Sequence, residues 1–260
     1  MPSRGTRFAL AIVAGAQCAA APASIESAFA LAWPASIGRV AATTYDDHGA
    51  PLGAANLVME QLDSGGIRVF SQSGEERGAH NVAMADLVPI RAGESLRVVR
   101  QESRAFDVSG KPLGLLTVDH AARRASCMSP DGSLRSELEL PEADRVVNVP
   151  FNLFFMPLVT GEARELRFQL FLCKDRALLV DFQAWAVRRG ESSEGGPIEI
   201  RYAPDLGLLS PFAKRLVPKL SFWFDPSAPH GWMAHRLPMY TGGPEVLVVR
   251  QGIPLATLAN

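Results

Sequence analysis

Residues Ala177-Leu-Leu-Val-Asp-Phe-Gln-Ala-Trp-Ala-Val187 put Leu178, Val180 and Phe182 on one face of an extended segment, and Leu179, Trp185 and Val187 on the other. The reason is that successive strand side chains point to opposite sides. Leu220-Ser-Phe-Trp-Phe224 repeats the pattern. A sheet with one wet face needs apolar residues on one side only. A sheet that is apolar on both sides needs a second layer, a partner or a greasy ligand over each.

Working outward from these segments, most of the chain reads as short strands. They are Arg39–Tyr45, Ala54–Leu62, Ile67–Ser73, Ser95–Val108, Leu113–His120, Ala125–Ser129 and Leu134–Leu140, then Glu165–Cys173, Ala177–Val187, Ile198–Tyr202, Leu220–Asp225 and Glu245–Arg250. Tyr45-Asp-Asp-His-Gly49, Asp63-Ser-Gly-Gly66, Ser109-Gly-Lys-Pro112 and Pro130-Asp-Gly-Ser133 supply turn chemistry between them. Leu134-Arg-Ser-Glu-Leu-Glu-Leu140 alternates cleanly, with Leu134, Leu138 and Leu140 on one face and charges on the other.

Three stretches depart from the strand pattern. Asn148–Val159 holds Phe151, Phe154 and Phe155 between Pro150 and Pro157, which predicts a short helical plug. Asp205–Val217 spaces Leu206, Leu209, Phe212 and Leu216 near a helical period, with Asp205 placed to cap it. Ala79–Leu87 is read as another short helix, and Glu191–Pro197 as a polar loop. No fixed-period repeat is present, so residues 31–260 are read as one β domain behind a leader at 1–30.

The bulk composition excludes some partners. The chain has 260 residues, 47% of them hydrophobic, and 26 basic against 27 acidic side chains leave a net charge of -1. That balance gives no footprint for nucleic acid. The N-terminus resembles an export signal: Arg4 and Arg7 precede the apolar run Phe8–Ala16, which is too short to span a bilayer, and small residues follow. No later stretch is apolar enough for a membrane helix. Cys18 raises a lipid anchor, but Gln17 and Gly15 stand where a lipoprotein signal favours a small and an aliphatic residue. In an exported chain Cys127 and Cys173 invite a disulfide; two separate buried thiols are the alternative.

A catalytic constellation does not emerge. Nucleophile-elbow, phosphate-loop and dinucleotide-loop spacings are absent. His230 and His235 lie near Asp225 in a segment read as a loop, where exposed histidines are the simpler reading than a metal site. Asp119 and His120 are adjacent on a strand end, so they point apart and cannot form a dyad. Glu137 and Glu139 share a face that reads as solvated. No catalytic residue, metal ligand or cofactor is assigned. Leu179, Trp185, Phe222, Trp223 and Phe224 are the candidate ligand-binding set, and Trp185, Phe222, Trp223, Phe224 and Trp232 together are a candidate aromatic platform for sugar or lipid, with a packed core as the competing reading of both.

Three stretches carry a resemblance. They are Tyr45-Asp-Asp-His-Gly-Ala-Pro-Leu-Gly-Ala-Ala-Asn-Leu57, then Pro157-Leu-Val-Thr-Gly-Glu162 with a strand straight after it, and the closing hairpin from Leu220-Ser-Phe-Trp-Phe-Asp225 to His235-Arg-Leu-Pro238, followed by Glu245–Arg250. Their order resembles an exported bacterial half-barrel family, a domain of unknown function likened in shape to the Lol-type lipoprotein carriers. The chain departs from that pattern in the long Pro226–Ala234 segment. The resemblance implies a curved antiparallel sheet, a concave apolar face and no catalysis.

The combined reading is a mainly β fold: one large curved antiparallel sheet, half-barrel or open barrel, with one or two short covering helices. The expected function is binding or carriage of an apolar small molecule, a lipid or a lipoprotein in the periplasm, outside the cell or at the outer membrane. A hydrolase acting on glycan or lipid, and a structural protein pairing through a sheet edge, are the rival readings. Export predicts that mature protein lacks the chain from Met1 to about Ala23 or Ala30, which N-terminal sequencing checks. Finding Phe8–Ala16 intact in cytosolic protein would exclude it.

Overall fold

The computed structural model describes residues 30–258 apart from 76, 92, 142–144, 175, 188–194, 206 and 208–219. The leader up to residue 29, with Cys18, nearly all of the Asp205–Val217 segment and residues 191–194 of the Glu191–Pro197 segment lie outside the described residues.

The first half of the chain forms β1 (Leu31–Ala32), β2 (Gly38–Tyr45), β3 (Pro51–Gln61), β4 (Ile67–Gly74), β5 (His80–Arg91), β6 (Ser95–Phe106), β7 (Pro112–Asp119), β8 (Arg124–Met128) and β9 (Leu134–Glu139). Two single-turn helices follow, α1 (Phe151–Phe154) and α2 (Met156–Val159). Then come β10 (Glu165–Cys173), β11 (Ala177–Ala186), β12 (Ile198–Pro204), β13 (Leu220–Phe224), β14 (Trp232–Pro238) and β15 (Glu245–Arg250). All fifteen strands belong to one antiparallel sheet, ordered β10 to β15 and then β2 to β9, with β1 extending the row of β7 against β6. The chain therefore starts mid-sheet, runs to the β9 edge, crosses to the β10 edge and returns to pair β15 with β2.

Three expectations are corrected. Ala79–Leu87 is not helical: it supplies most of β5, because Ala83, Ala85 and Leu87 recur every second residue and are all buried. The Pro226–His235 loop ends earlier than expected, since β14 begins at Trp232. Leu134 also leaves its expected face. A register shift opposite Cys127 and Met128 leaves it 56% exposed, while Leu138 and Leu140 pack inward.

The sheet ends overlap instead of pairing. Val118, Ala125 and Cys127 are on the concave face of β7–β8. They pack against Phe171, Cys173 and Leu179, which sit on the opposite, convex face of β10–β11. The Cys127–Cys173 disulfide, with Cα atoms 5.7 Å apart, joins the two layers. The Ala177 amide donates to Ser136 Oγ at 3.0 Å, and Arg135 to the Lys174 carbonyl at 3.0 Å.

A strap at residues 145–149 fills the seam beside β10. The Val147 amide donates to the Gln169 carbonyl and the Gln169 amide to the Arg145 carbonyl. Gln101 of β6, wholly buried, holds the strap from inside: its Nε2 donates to the Val146 carbonyl, and its Oε1 accepts from the Asn148 and Val149 amides at 2.6 and 2.9 Å. The strap delivers α1 and α2 into the concavity, where Phe151, Phe154 and Phe155 meet Phe168, Tyr202 and Phe222.

The bridge spans 46 residues of sequence, for which chain entropy alone gives about 4 kcal/mol. Replacing both cysteines by alanine should therefore lower the urea unfolding free energy by up to about 4 kcal/mol. Thiol counting on denatured, unreduced wild-type protein should find neither cysteine free.

Candidate functional site

The concave face contains a cavity of about 120 Å³ between β3–β5 on one wall and β13–β15 on the other, with the strap and α1 beneath it. Alternation places the lining. Leu57, Ser71 and Ala83 line one wall because they pair in register across β3, β4 and β5, and Val69 joins them from the same face of β4 as Ser71. Phe222, His235 and Val248 line the other because they pair across β13, β14 and β15. Val149, Pro150 and Phe151 close the floor.

The walls differ in character. Ser71, Ser73 and Asn81 put hydroxyl and amide groups on the β4–β5 side, and the strap adds Asn148 and Asn152. Phe222, Trp232, Leu237, Val246 and Val248 make the facing side apolar. Close approach of β4 to β2 at the rim depends on glycine. The Gly74 amide, at φ +107, donates to buried Thr44 Oγ1 at 2.9 Å, passing over Gly53, whose added Cβ would lie 2.5 Å from the Gly74 carbonyl.

His235 is the titratable group of this cavity. Its ring stacks on Phe222 at 5.1 Å and lies 5.4 Å from Trp232. Burial, with no hydrogen bond to offset it, pushes the imidazole down to about 4, so it is neutral at ordinary pH. Trp232, a further wall residue, carries an orphaned polar atom: its Nε1 is buried without a hydrogen-bond partner.

The expected binding set does not gather at one place. Phe222 lines the cavity. Phe224 faces the same side but is fully buried in the core below it. Trp223 points to the convex face, where Met233, Leu247, Val249 and Leu258 cover it and Arg236 lies 5.9 Å above its ring. Leu179 packs in the overlap beside the disulfide, and Trp185 is on that same convex face of β11, opposite Glu165 and Arg201.

The other candidates have structural partners. His120 Nε2 is 2.7 Å from Gln101 Nε2, and accepting there fixes the amide that grips the strap. His230 sits in the turn before β14 with its Nδ1 3.0 Å from the Asp225 carbonyl, away from the cavity that His235 lines. Glu137 and Glu139 lie near Arg124 and Arg123 at 3.4 and 3.6 Å. Among the described residues no cluster of three or more acidic, histidine or cysteine side chains is placed to hold a metal, and no helix is long and apolar enough to cross a membrane.

Sequence reasoning missed Ser71 and His235 as cavity residues; of the aromatics read as a platform, Phe222 and Trp232 line the cavity. The signal that would have found His235 is the alternation from Trp232 to Leu237 once β14 is recognised. No family profile and no curated protein matches the chain. Among solved structures it is similar to one described as a beta-barrel-like protein of Domain of Unknown Function DUF1849 from Brucella abortus, at 8% identity and a TM-score of 0.33, over 82% of this chain and 97% of that one. The open, curved antiparallel sheet is established by this chain's own strand ladder.

His235 makes stability depend on pH in a defined direction. Unfolded imidazole titrates near 6.5, so below that value the unfolded chain takes up a proton that the folded cavity refuses. Stability is therefore lost as pH falls from about 6.5 to about 4 and changes no further below that. The gap corresponds to about 3 kcal/mol. Urea unfolding should show wild type losing up to about 3 kcal/mol more than His235→Gln between about pH 7 and pH 4.

Proposed function

We propose that the chain is a non-enzymatic binding protein of the cell envelope, which holds the apolar part of a ligand inside its curved sheet. The observation that carries this reading is the cavity between β3–β5 and β13–β15, lined by Leu57, Val69, Phe222 and Val248 yet unfilled by α1 and α2. Folded interiors are close-packed, and an unfilled cavity forgoes contacts along its apolar walls. An apolar cavity of about 150 Å³ takes up a benzene-sized molecule. The enclosed part of the ligand is accordingly a single ring or a short chain. A lipid or an acylated partner would enter by a chain end. The envelope location rests on the basic and apolar stretch from Arg4 to Ala16.

Toluene is a direct probe. It should bind the folded protein and shift the Trp232 indole resonance in nuclear magnetic resonance spectra. Ala83→Phe, which places a ring into the cavity, should abolish binding while circular dichroism shows the sheet retained. Trp223→Phe, on the convex face, should leave binding unchanged. Absence of toluene binding, or binding indifferent to Ala83→Phe, would overturn the reading.

A further inference from the structure

We propose that the cavity selects an uncharged molecule: an apolar body carrying a hydroxyl or amide end, rather than a carboxylate, phosphate or ammonium group. The inference rests on the binding role proposed above and narrows its ligand class. Among the described residues the lining contains no aspartate, glutamate, lysine or arginine. An ionic group entering there would leave water without a counter-charge from these walls, at a cost far above that of a hydroxyl finding a hydrogen bond. A fatty-acid anion or a phospholipid headgroup meets no cation among the described lining residues.

The polar groups that are present suit a neutral partner. His235 offers one ring nitrogen as a donor and the other as an acceptor, and neither is hydrogen-bonded to a described residue. Ser71 stands on the β4 wall of the same cavity, in the register Leu57–Ser71–Ala83, also without a partner among the described residues. Asn81 and Asn148 are already engaged, by Ser103 Oγ at 2.9 Å and by the Phe171 backbone at 2.7 and 3.1 Å, so they shape the wall instead of reaching for a ligand. The apolar body of the ligand then lies on Phe222 and Val248, and its hydroxyl or amide lies between Ser71 and His235.

The test compares three single-ring molecules with the intact protein near neutral pH: toluene, benzyl alcohol and benzoate. Benzyl alcohol should bind more tightly than toluene and should shift the His235 ring resonances. Benzoate should bind at least about tenfold more weakly than benzyl alcohol. His235→Phe should erase the preference for the alcohol over toluene while toluene still binds. Benzoate binding as tightly as benzyl alcohol, or an alcohol preference that survives His235→Phe, would overturn the selectivity and leave cavity binding standing. Failure of both toluene and benzyl alcohol to bind would overturn both.

Discussion

Fourteen strands in one hydrogen-bonded path cannot stay flat, because each strand pair adds right-handed twist and an open sheet of this width must curl or split. Curling brings the two edges together, and their unpaired backbone groups then have to be satisfied or hidden. Here the β10–β11 edge slides beneath β7–β9, so that convex-face Phe171 and Leu179 become core against concave-face Val118 and Ala125. Everything else follows from that overlap. The connection from β9 to β10 is short in space, the strap can lie in the seam, and α1 and α2 are carried inside.

The overlap also accounts for what the sequence displayed and what it concealed. Apolar residues on both faces of Ala177–Val187 and of Leu220–Phe224 are real, and the strands themselves were legible, Glu165–Cys173 and Glu245–Arg250 to the residue. Their second covers were not legible as covers. For Leu179 the cover is the far edge of the same sheet; for Trp223 it is the C-terminal 3₁₀ turn Leu255–Leu258 with Met233 and Leu247. A one-dimensional pattern records that a face is dry but not which distant segment dries it. β5 was misread because its inward row is rich in alanine, which favours helices by propensity while fitting the crowded concave face by size. β14 was hidden behind the Pro226, Pro229 and Gly231 turn chemistry that precedes it.

Gln101 shows how little polar chemistry such a fold needs when it is fully used. One buried amide receives the Asn148 and Val149 amides, donates to the Val146 carbonyl and meets His120. Buried amides without partners would cost more than the net worth of the bonds they make. The same segment is therefore held by backbone pairing on its β10 side and by one side chain on its β6 side, which sets where α1 begins.

That position decides the cavity. α1 and α2 bring Phe154, Phe155, Leu158 and Val159 onto the β10–β13 half of the concavity, and Phe151 reaches no further than Phe222. The β3–β5 half is left to Leu57, Val69 and Ala83, small or medium side chains that do not span the gap to Val248 and His235. A filled core would have needed larger residues at Ser71 and Ala83. With hydroxyl and alanine there instead, His235 keeps a neutral, unpaired ring on the cavity wall. The cavity is thus the product of plug length and of two small residues on adjacent strands, β4 and β5, a combination set by register and invisible in any single stretch of sequence.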